Sequence, residues 1–381
     1  MRKMRKSICG LLTLLLCLTA SMVVAETTQY QIRDLSGVIG KYTNAKDINN
    51  NGVIVGDTSV GGTGHAFCWS ESTGLVDLGN SLGAQRSMAN AINVSGKVVG
   101  YGNVSAVVNG TEKIVSHAML WDLNGNTTDL GVLPGAAYSM ALDINDNGEI
   151  LGLSTFEIPS PTGGVPSYIK HTVIWDQNGN IIQDLGALFT GSQWAAWEIN
   201  NNGDIRGQNM GTNGKEYWLR HRDGSMTSLN EMGGEYISTD AINDYGLVAG
   251  SLHDADNLFL ATVWNSDGSI RSRLNPLAGD EYTMAYDINN SGIVVGESST
   301  YDNVHAVIWN ADGTIVELSS LPGFETSRAY MINDKGWVVG EVGTSGDWRT
   351  VLWTPVPEPA TLLTLVCGLG GMTLLRRKHH D

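Results

Sequence analysis

Four histidines recur at one place in the chain: His65, His117, His171 and His305 each precede Ala or Thr, with Trp four residues further on. Imidazoles can ligate metals or act as general bases near neutral pH. Either task needs groups that converge on one point. These histidines are spread along the chain about a repeat apart, and Glu216, Leu260 and Arg349 stand at the same place elsewhere. The expected role is therefore structural, an imidazole bonded to neighbouring backbone. Asp143, Asn145, Asn147 and Gly148 read like the start of a calcium loop, but Ser154 occupies the position where a bidentate Glu is required. Acids near the same strand, Asp47, Asp143, Glu198 and Asp287, are matched by Ala91, Ala241 and Met331 in other units. No catalytic, metal or cofactor residue is assigned, although one unrepeated carboxylate pair would suffice for a glycosidase.

The elements that hold these residues repeat. Ile-Asn followed by Gly three residues after the Asn occurs seven times, at Asn49/Gly52, Asn93/Gly96, Asn145/Gly148, Asn200/Gly203, Asn243/Gly246, Asn289/Gly292 and Asn333/Gly336. A string ending in Trp follows at 69, 121, 175, 264, 309 and 353, while the fourth unit reads EYWLR with Arg220 in the Trp position. A third landmark, Asp-Leu-Gly or a relative, places Leu at 35, 78, 130, 185, 229, 274 and 318. Each unit reads as four short strands. The first ends in Ile-Asn, and its Asn-x-x-Gly loop predicts a type I turn closed by a Gly of positive φ. The second is Val-rich and is expected to stop at Gly56 or Gly296. The third carries the His and Trp, and the fourth leads to Asp-Leu. Trp at one place in six units is expected to pack blade against blade.

Four strands per unit predict an all-β fold, a seven-bladed β-propeller of four-stranded blades. One Asp-Leu strand, around Tyr30 to Leu35, precedes the first Ile-Asn, and none follows Trp353. The N-terminal strand is therefore expected to complete the last blade and close the ring. The turns after Ile-Asn and after Trp fall on one rim. The opposite rim takes two insertions, Tyr101 to Ser116 and Leu153 to Lys170. Tyr42, Tyr138, Trp194, Trp197, Tyr236 and Tyr282 are placed there as a candidate ligand rim near the mouth of the axis. Aromatic side chains beside acids and amides suit the stacking of sugars.

The strings HAFCW, HAMLW, HTVIW and HAVIW resemble the HAF repeat, a family of probable extracellular repeats. The resemblance runs through nearly the whole of residues 26–355 and implies export, without implying an activity. At the C-terminus, Pro357-Glu358-Pro359, an apolar stretch over 360–375 and the cluster Arg376-Arg377-Lys378 resemble the PEP-CTERM sorting signal. That resemblance implies recognition by an exosortase and removal of the tail, 356–381, after a transient stay in the membrane.

The first 25 residues carry four basic residues, an apolar run from Ile8 to Ala20, and small residues up to Ala25, so signal peptidase is expected to cut between Ala25 and Glu26. The chain has a net charge of −16, and the body left after both trims would be near −21. Such a body excludes nucleic acid as a partner. Cys68 is the lone cysteine of that body, expected as a buried small hydrophobe. The expected function is a secreted or cell-surface, non-catalytic module of a Gram-negative matrix that binds extracellular polysaccharide or a surface protein. The alternative is a propeller enzyme acting on polysaccharide.

Overall fold

The computed structural model describes residues 28–40, 43–60, 63–79, 86–186, 195–211, 214–229, 236–253 and 258–356. Ala25, Glu26, Pro357, Glu358, Pro359, Arg376 and Arg377 lie outside the described residues. The chain divides into Gln31–Thr354, which is the ring, and a unit of the two chain ends, Met1–Tyr30 with Pro355–Asp381.

The ring is a seven-bladed β-propeller. Blade 1 consists of β2 (Thr43–Ile48), β3 (Ile54–Val60), β4 (Thr63–Ser70) and β5 (Gly74–Asp77). Blade 2 is β6 (Ser87–Ile92), β7 (Val98–Val108), β8 (Thr111–Trp121) and β9 (Thr127–Gly131). Blade 3 is β10 (Tyr138–Ile144), β11 (Ile150–Ile158), β12 (Ser167–Trp175) and β13 (Ile181–Gly186). Blade 4 is β14 (Ala195–Ile199), β15 (Ile205–Gly211), β16 (Gly214–Arg220) and β17 (Met226–Ser228). Blade 5 is β18 (Tyr236–Ile242), β19 (Val248–His253), β20 (Phe259–Trp264) and β21 (Ile270–Arg273). Blade 6 is β22 (Tyr282–Ile288), β23 (Val294–Ser299), β24 (Val304–Trp309) and β25 (Ile315–Glu317). Blade 7 is β26 (Thr326–Ile332), β27 (Val338–Gly343), β28 (Trp348–Pro355) and, on its outside, β1 (Tyr30–Asp34).

The expected closure is present. Past the end of β1, Leu35 N donates to Thr350 O of β28 at 2.9 Å, and the Leu35 side chain is fully buried. Arg349 adds an ion pair to Asp34 at 2.7 Å, tying β28 to β1 by side chains as well. Leu35 opens α1 (Ser36–Ile39), one turn whose Ile39 packs with Ile54 and Trp69 of blade 1.

The Asn-x-x-Gly turn forms as the sequence predicts. Gly52 has φ 75° and donates to Asn49 O at 3.0 Å, while Asn49 N reaches Val53 O. The second strand, however, does not stop at its glycine. Gly296 and its counterparts lie inside it, opposite a register shift in the innermost strand such as that between Ala285 and Asp287. There the two backbones approach so closely that a Cβ on Gly296 would sit 1.9 Å from Met284 O. A bulge re-aims the innermost strand at the cost of side-chain room on its partner.

The tryptophans fill the gaps between blades. Trp121, Trp175, Trp264, Trp309 and Trp353 are at most 2% exposed. In blade 4, Trp218 does the same work two residues earlier on the same strand face, at 4% exposure. Cys68 is buried as expected, and desolvation pushes its thiol up to about 11.

Candidate functional site

The landmark asparagines build a belt that the sequence reading saw only in part. Each side-chain Oδ1 caps its own turn, as when Asn289 Oδ1 accepts from Ser291 N and Ile293 N at 3.0 Å. The same side chain's Nδ2 crosses to the next blade and donates to the backbone carbonyl of the next landmark Asn. The chain of donors runs 49 to 93, 145, 200, 243, 289 and 333, and Asn333 returns to Asn49 O at 2.9 Å. All seven side chains are buried. The next residues along line the axial cavity and add further crossings between blades: Asn290 and Asn201 each donate to Asp244, and Asp334 N donates to Asn50 Oδ1.

Inside the belt lies an axial cavity of about 180 Å³, ringed by the Ile-Asn pair of every blade and reached by Asp143 and Glu198. The acids Asp47, Asp143, Glu198 and Asp287 each follow the bulge and staple one blade to the next. Asp47 takes Ile48 N on one oxygen and Ile92 N of blade 2 on the other, at 2.7 and 2.8 Å. Asp143 does the same with Ile144 and Ile199, and Asp287 with Ile288 and Ile332. Glu198 accepts from Ile242 N and from Arg206 at 3.2 Å. Burial among protein atoms raises all four carboxyls above their ordinary range, taking Asp47 to about 7 and Asp287 to about 6. For Glu198, burial outweighs the pull of Arg206, and the charges of Asp143 and Asp287 add to the rise.

Where the sequence suggested backbone partners, the histidines meet acids. Each Nδ1 meets a carboxylate of the fourth strand: His65 with Asp77, His117 with Asp129, His171 with Asp184 and His305 with Glu317, at 2.9 to 3.1 Å. That carboxylate also accepts the amide of the Gly two residues on, at Gly79, Gly131 and Gly186, which accounts for the Asp-Leu-Gly string. Arg349 with Asp34 is the same pair in blade 7. The four imidazoles thus brace separate blade edges. Among the described residues no group of three or more His, Cys, Asp or Glu could hold a metal ion.

The candidate ligand rim falls partly within the described residues. Tyr42 and Trp194 lie outside the described residues. Tyr236 and Tyr282 open β18 and β22. Trp197 is 44% exposed and belongs to the bulge of β14, between Ala196 and Glu198. Its counterparts Tyr286 and Tyr330, absent from the sequence-based rim, meet across blades 6 and 7 at 5.3 Å. Tyr138 turns toward the insertions, where its hydroxyl donates to Glu157 at 2.6 Å and its ring stands edge-on to Tyr168 at 6.2 Å.

Those insertions are hairpin arms rather than irregular loops. β7 and β8 run eleven residues each and turn at Asn109-Gly110, with φ 52° and 78°. Such a two-residue turn matches the twist of its strands. The neighbouring arm, from β11 and β12, is joined to the first by Lys113 and Asn109, both bonded to Glu157. Val104, Ala106, Val108, Val115, Ala137 and Tyr138 form a small apolar cluster of their own beneath them. Outward, the arms expose Val107 at 74%, Ile114 at 61% and Val165 at 87%, with Ile158, Tyr168 and Ile169 at 42 to 47%. Among the described residues no helix is long and apolar enough to cross a membrane.

No protein-family description matches the sequence, and no curated protein matches it. Solved structures do. A Mycobacterium tuberculosis puromycin-hydrolyzing peptidase is 12% identical with a TM-score of 0.58, the match covering 85% of this chain and 53% of that one. A Pyrococcus horikoshii acylaminoacyl peptidase is 13% identical with a TM-score of 0.51, covering 87% and 55%. A streptogramin B lyase is 10% identical with a TM-score of 0.50, covering 86% and 98%. The chain spans about half the length of the two peptidases. At such identities the likeness is one of fold alone. What the geometry and the comparisons establish together is a closed seven-bladed β-propeller.

Proposed function

We propose that this propeller is an exported, non-catalytic matrix module that docks a matrix protein on the paired arms of blades 2 and 3. The observation that carries the reading is the arm pair itself. Two neighbouring hairpins reach beyond the blades, are tied together through Glu157, and expose six large apolar side chains. Isolated apolar residues on a surface need no explanation, but a stiffened projection rich in them marks an interaction site. Export and sorting rest on the two terminal segments and on the HAF-like strings, which make signal peptidase and an exosortase the processing partners and the cell surface or medium the destination. The test replaces residues 103–116 and 155–169 of the full chain with short turns. The melting temperature should fall modestly, because the replaced segments meet the blade cores only at their edges, through the partly buried Val104 and Phe156. Attachment to matrix from the producing cell should be lost, and full attachment without the arms overturns the reading.

One observation favours a second reading, a propeller enzyme acting on polysaccharide. Asp143 and Glu198 share the axial cavity, and burial keeps both carboxyls ready to hold a proton near neutrality. Against it, the oxygens of these acids already accept backbone amides that join the blades. Hydrolysis of matrix polysaccharide that vanishes in Glu198→Gln would reverse the order of the two readings.

A further inference from the structure

We propose that the cleft between blades 5 and 6, on the asparagine rim, binds an acidic sugar residue, with its carboxylate on Arg271 and its ring against Tyr245. The inference goes beyond the docking reading and uses none of its residues, since the arms rise from the opposite rim.

The cleft exists because two filling side chains are missing. In blades 2, 3 and 4 the side chain two residues after the landmark Trp, or after its counterpart Arg220, is long and folds back over the turn glycine of its own blade. A Cβ on Gly96 would meet Leu123 at 2.8 Å, one on Gly148 would meet Gln177 at 3.4 Å, and one on Gly203 would meet Arg222 at 2.5 Å. Blades 5 and 6 carry Ser266 and Ala311 at that place. Trp337 of blade 7 reaches across to blade 1, where a Cβ on Gly52 would sit 2.5 Å from its ring, and the same position in blade 5 is Leu247, which comes nowhere within 4 Å of a Cβ on Gly292. The result is a cavity of about 570 Å³ between the two blades. That is within the range of roughly 300–1,000 Å³ usual for small-molecule clefts.

Its lining is chemically particular. Arg271 is exposed and, among the described residues, makes no hydrogen bond or ion pair, so its whole donor fork is available. Tyr245 is 74% exposed, and its hydroxyl makes no hydrogen bond among the described residues. The hydroxyls of Ser266, Ser272 and Ser291 are likewise unengaged there and can both donate and accept. One planar cation suits a single carboxylate. An aromatic face suits a sugar ring, and short hydroxyls suit a polyhydroxylated ligand better than an apolar side chain. Asp312 on the far wall is held by Thr314 and stays an acceptor, which disfavours a second anionic group inside the cleft.

The test titrates the full chain by calorimetry with tetramers of galacturonate, glucuronate and mannuronate, and with their methyl esters. At least one acid tetramer should bind, and its ester should bind far more weakly. Arg271→Gln should weaken binding about tenfold or more, the scale of losing a charge-assisted hydrogen bond. Ala311→Gln, which restores the kind of side chain that fills blade 3, should abolish binding, and both variants should melt like the parent. The armless chain should bind as the parent does, which separates this site from the docking reading. The proposal is overturned if no acid tetramer binds, if the esters bind equally well, if both variants bind like the parent, or if the armless chain loses binding.

Discussion

Replacing one belt asparagine by aspartate should create a pH-dependent fault in the ring, and Asn289→Asp is the cleanest case. Asn289 is 4% exposed, and its Nδ2 donates to Asn333 O at 3.1 Å while its Oδ1 accepts two amides. An ionised aspartate keeps both acceptances but sets an oxygen against the Asn333 carbonyl. The crossing bond, worth about 1 kcal/mol net, is lost, and the orphaned carbonyl and the repulsion bring the cost to roughly 2–4 kcal/mol. A protonated carboxyl can donate where the amide did, so folding raises the pKa of the new group. Its contribution is therefore fully present below the ordinary carboxylate pKa and is lost as pH rises through the raised value. Thermal unfolding of parent and variant at pH 4.5 and pH 8 measures the difference, with the parent's own pH dependence subtracted. Asn289→Ala removes three hydrogen bonds at any pH and should cost about 3 kcal/mol at both. A parent-like Asn289→Asp at pH 8, or an equal deficit at both pH values, would show that the crossing amide does not hold the ring.

Removing residues 29–36 takes away β1 and the fully buried Leu35 and leaves β28 as an open edge; light scattering should show aggregation and the melting temperature should drop sharply. Gly296→Ala should cost roughly 3 kcal/mol or more, since its Cβ would sit 1.9 Å from Met284 O, while Gly346→Ala, with open space around it, should unfold like the parent. The raised carboxyls of Asp47 and Asp287 stabilise the ring in acid, and that contribution is lost as pH climbs from about 4 through about 7 and about 6. Moving Asp47 from 3.8 to about 7 corresponds to roughly 4 kcal/mol at 1.36 kcal/mol per pKa unit. The double variant Asp47→Ala, Asp287→Ala, whose alanines copy Ala91 and Ala241, should flatten the stability profile over that window, and an unchanged slope removes the argument.

The ring was legible because repetition makes a weak signal strong. Seven Asn-x-x-Gly turns fix seven innermost hairpins, and an unmatched Asp-Leu strand at Leu35 has one vacancy to fill, beside β28. The bulge was not legible, because it is a backbone event whose trace is a glycine inside a strand, and Gly296 read more simply as a stop. The second role of the asparagines was hidden for a related reason: a turn cap accounts for Asn by itself, and nothing local says where its Nδ2 points. The pairing of His with the fourth-strand acid did leave a trace. Where Leu260 replaces the His, Arg273 replaces the acid, and where Glu216 replaces it, Ser228 does. Losing both partners together is what a contact between them demands. Asn109-Gly110 between two apolar runs was likewise a hairpin signal, and it marked the first arm as strand rather than loop. The cleft between blades 5 and 6 comes from what Ser266 and Ala311 lack, and an absent side chain is seen only against the neighbours that would have touched it.

The asparagine belt gives every junction the same grammar: a side-chain amide speaks to a main-chain carbonyl, always in one rotational sense, and neither party needs to know the identity of the blade it joins. Carbonyls are common to all residues, so the coupling asks nothing of the neighbour's sequence except its turn. Blades joined in this way are interchangeable in principle, and a blade can change its outer strands and loops without renegotiating its place in the circle. The circle also has a direction, like a ratchet wheel, so its two mouths can never become equivalent surfaces. Selection can then treat them as separate instruments, lengthening arms on one and hollowing a cleft in the other while the same seven amides hold the wheel together.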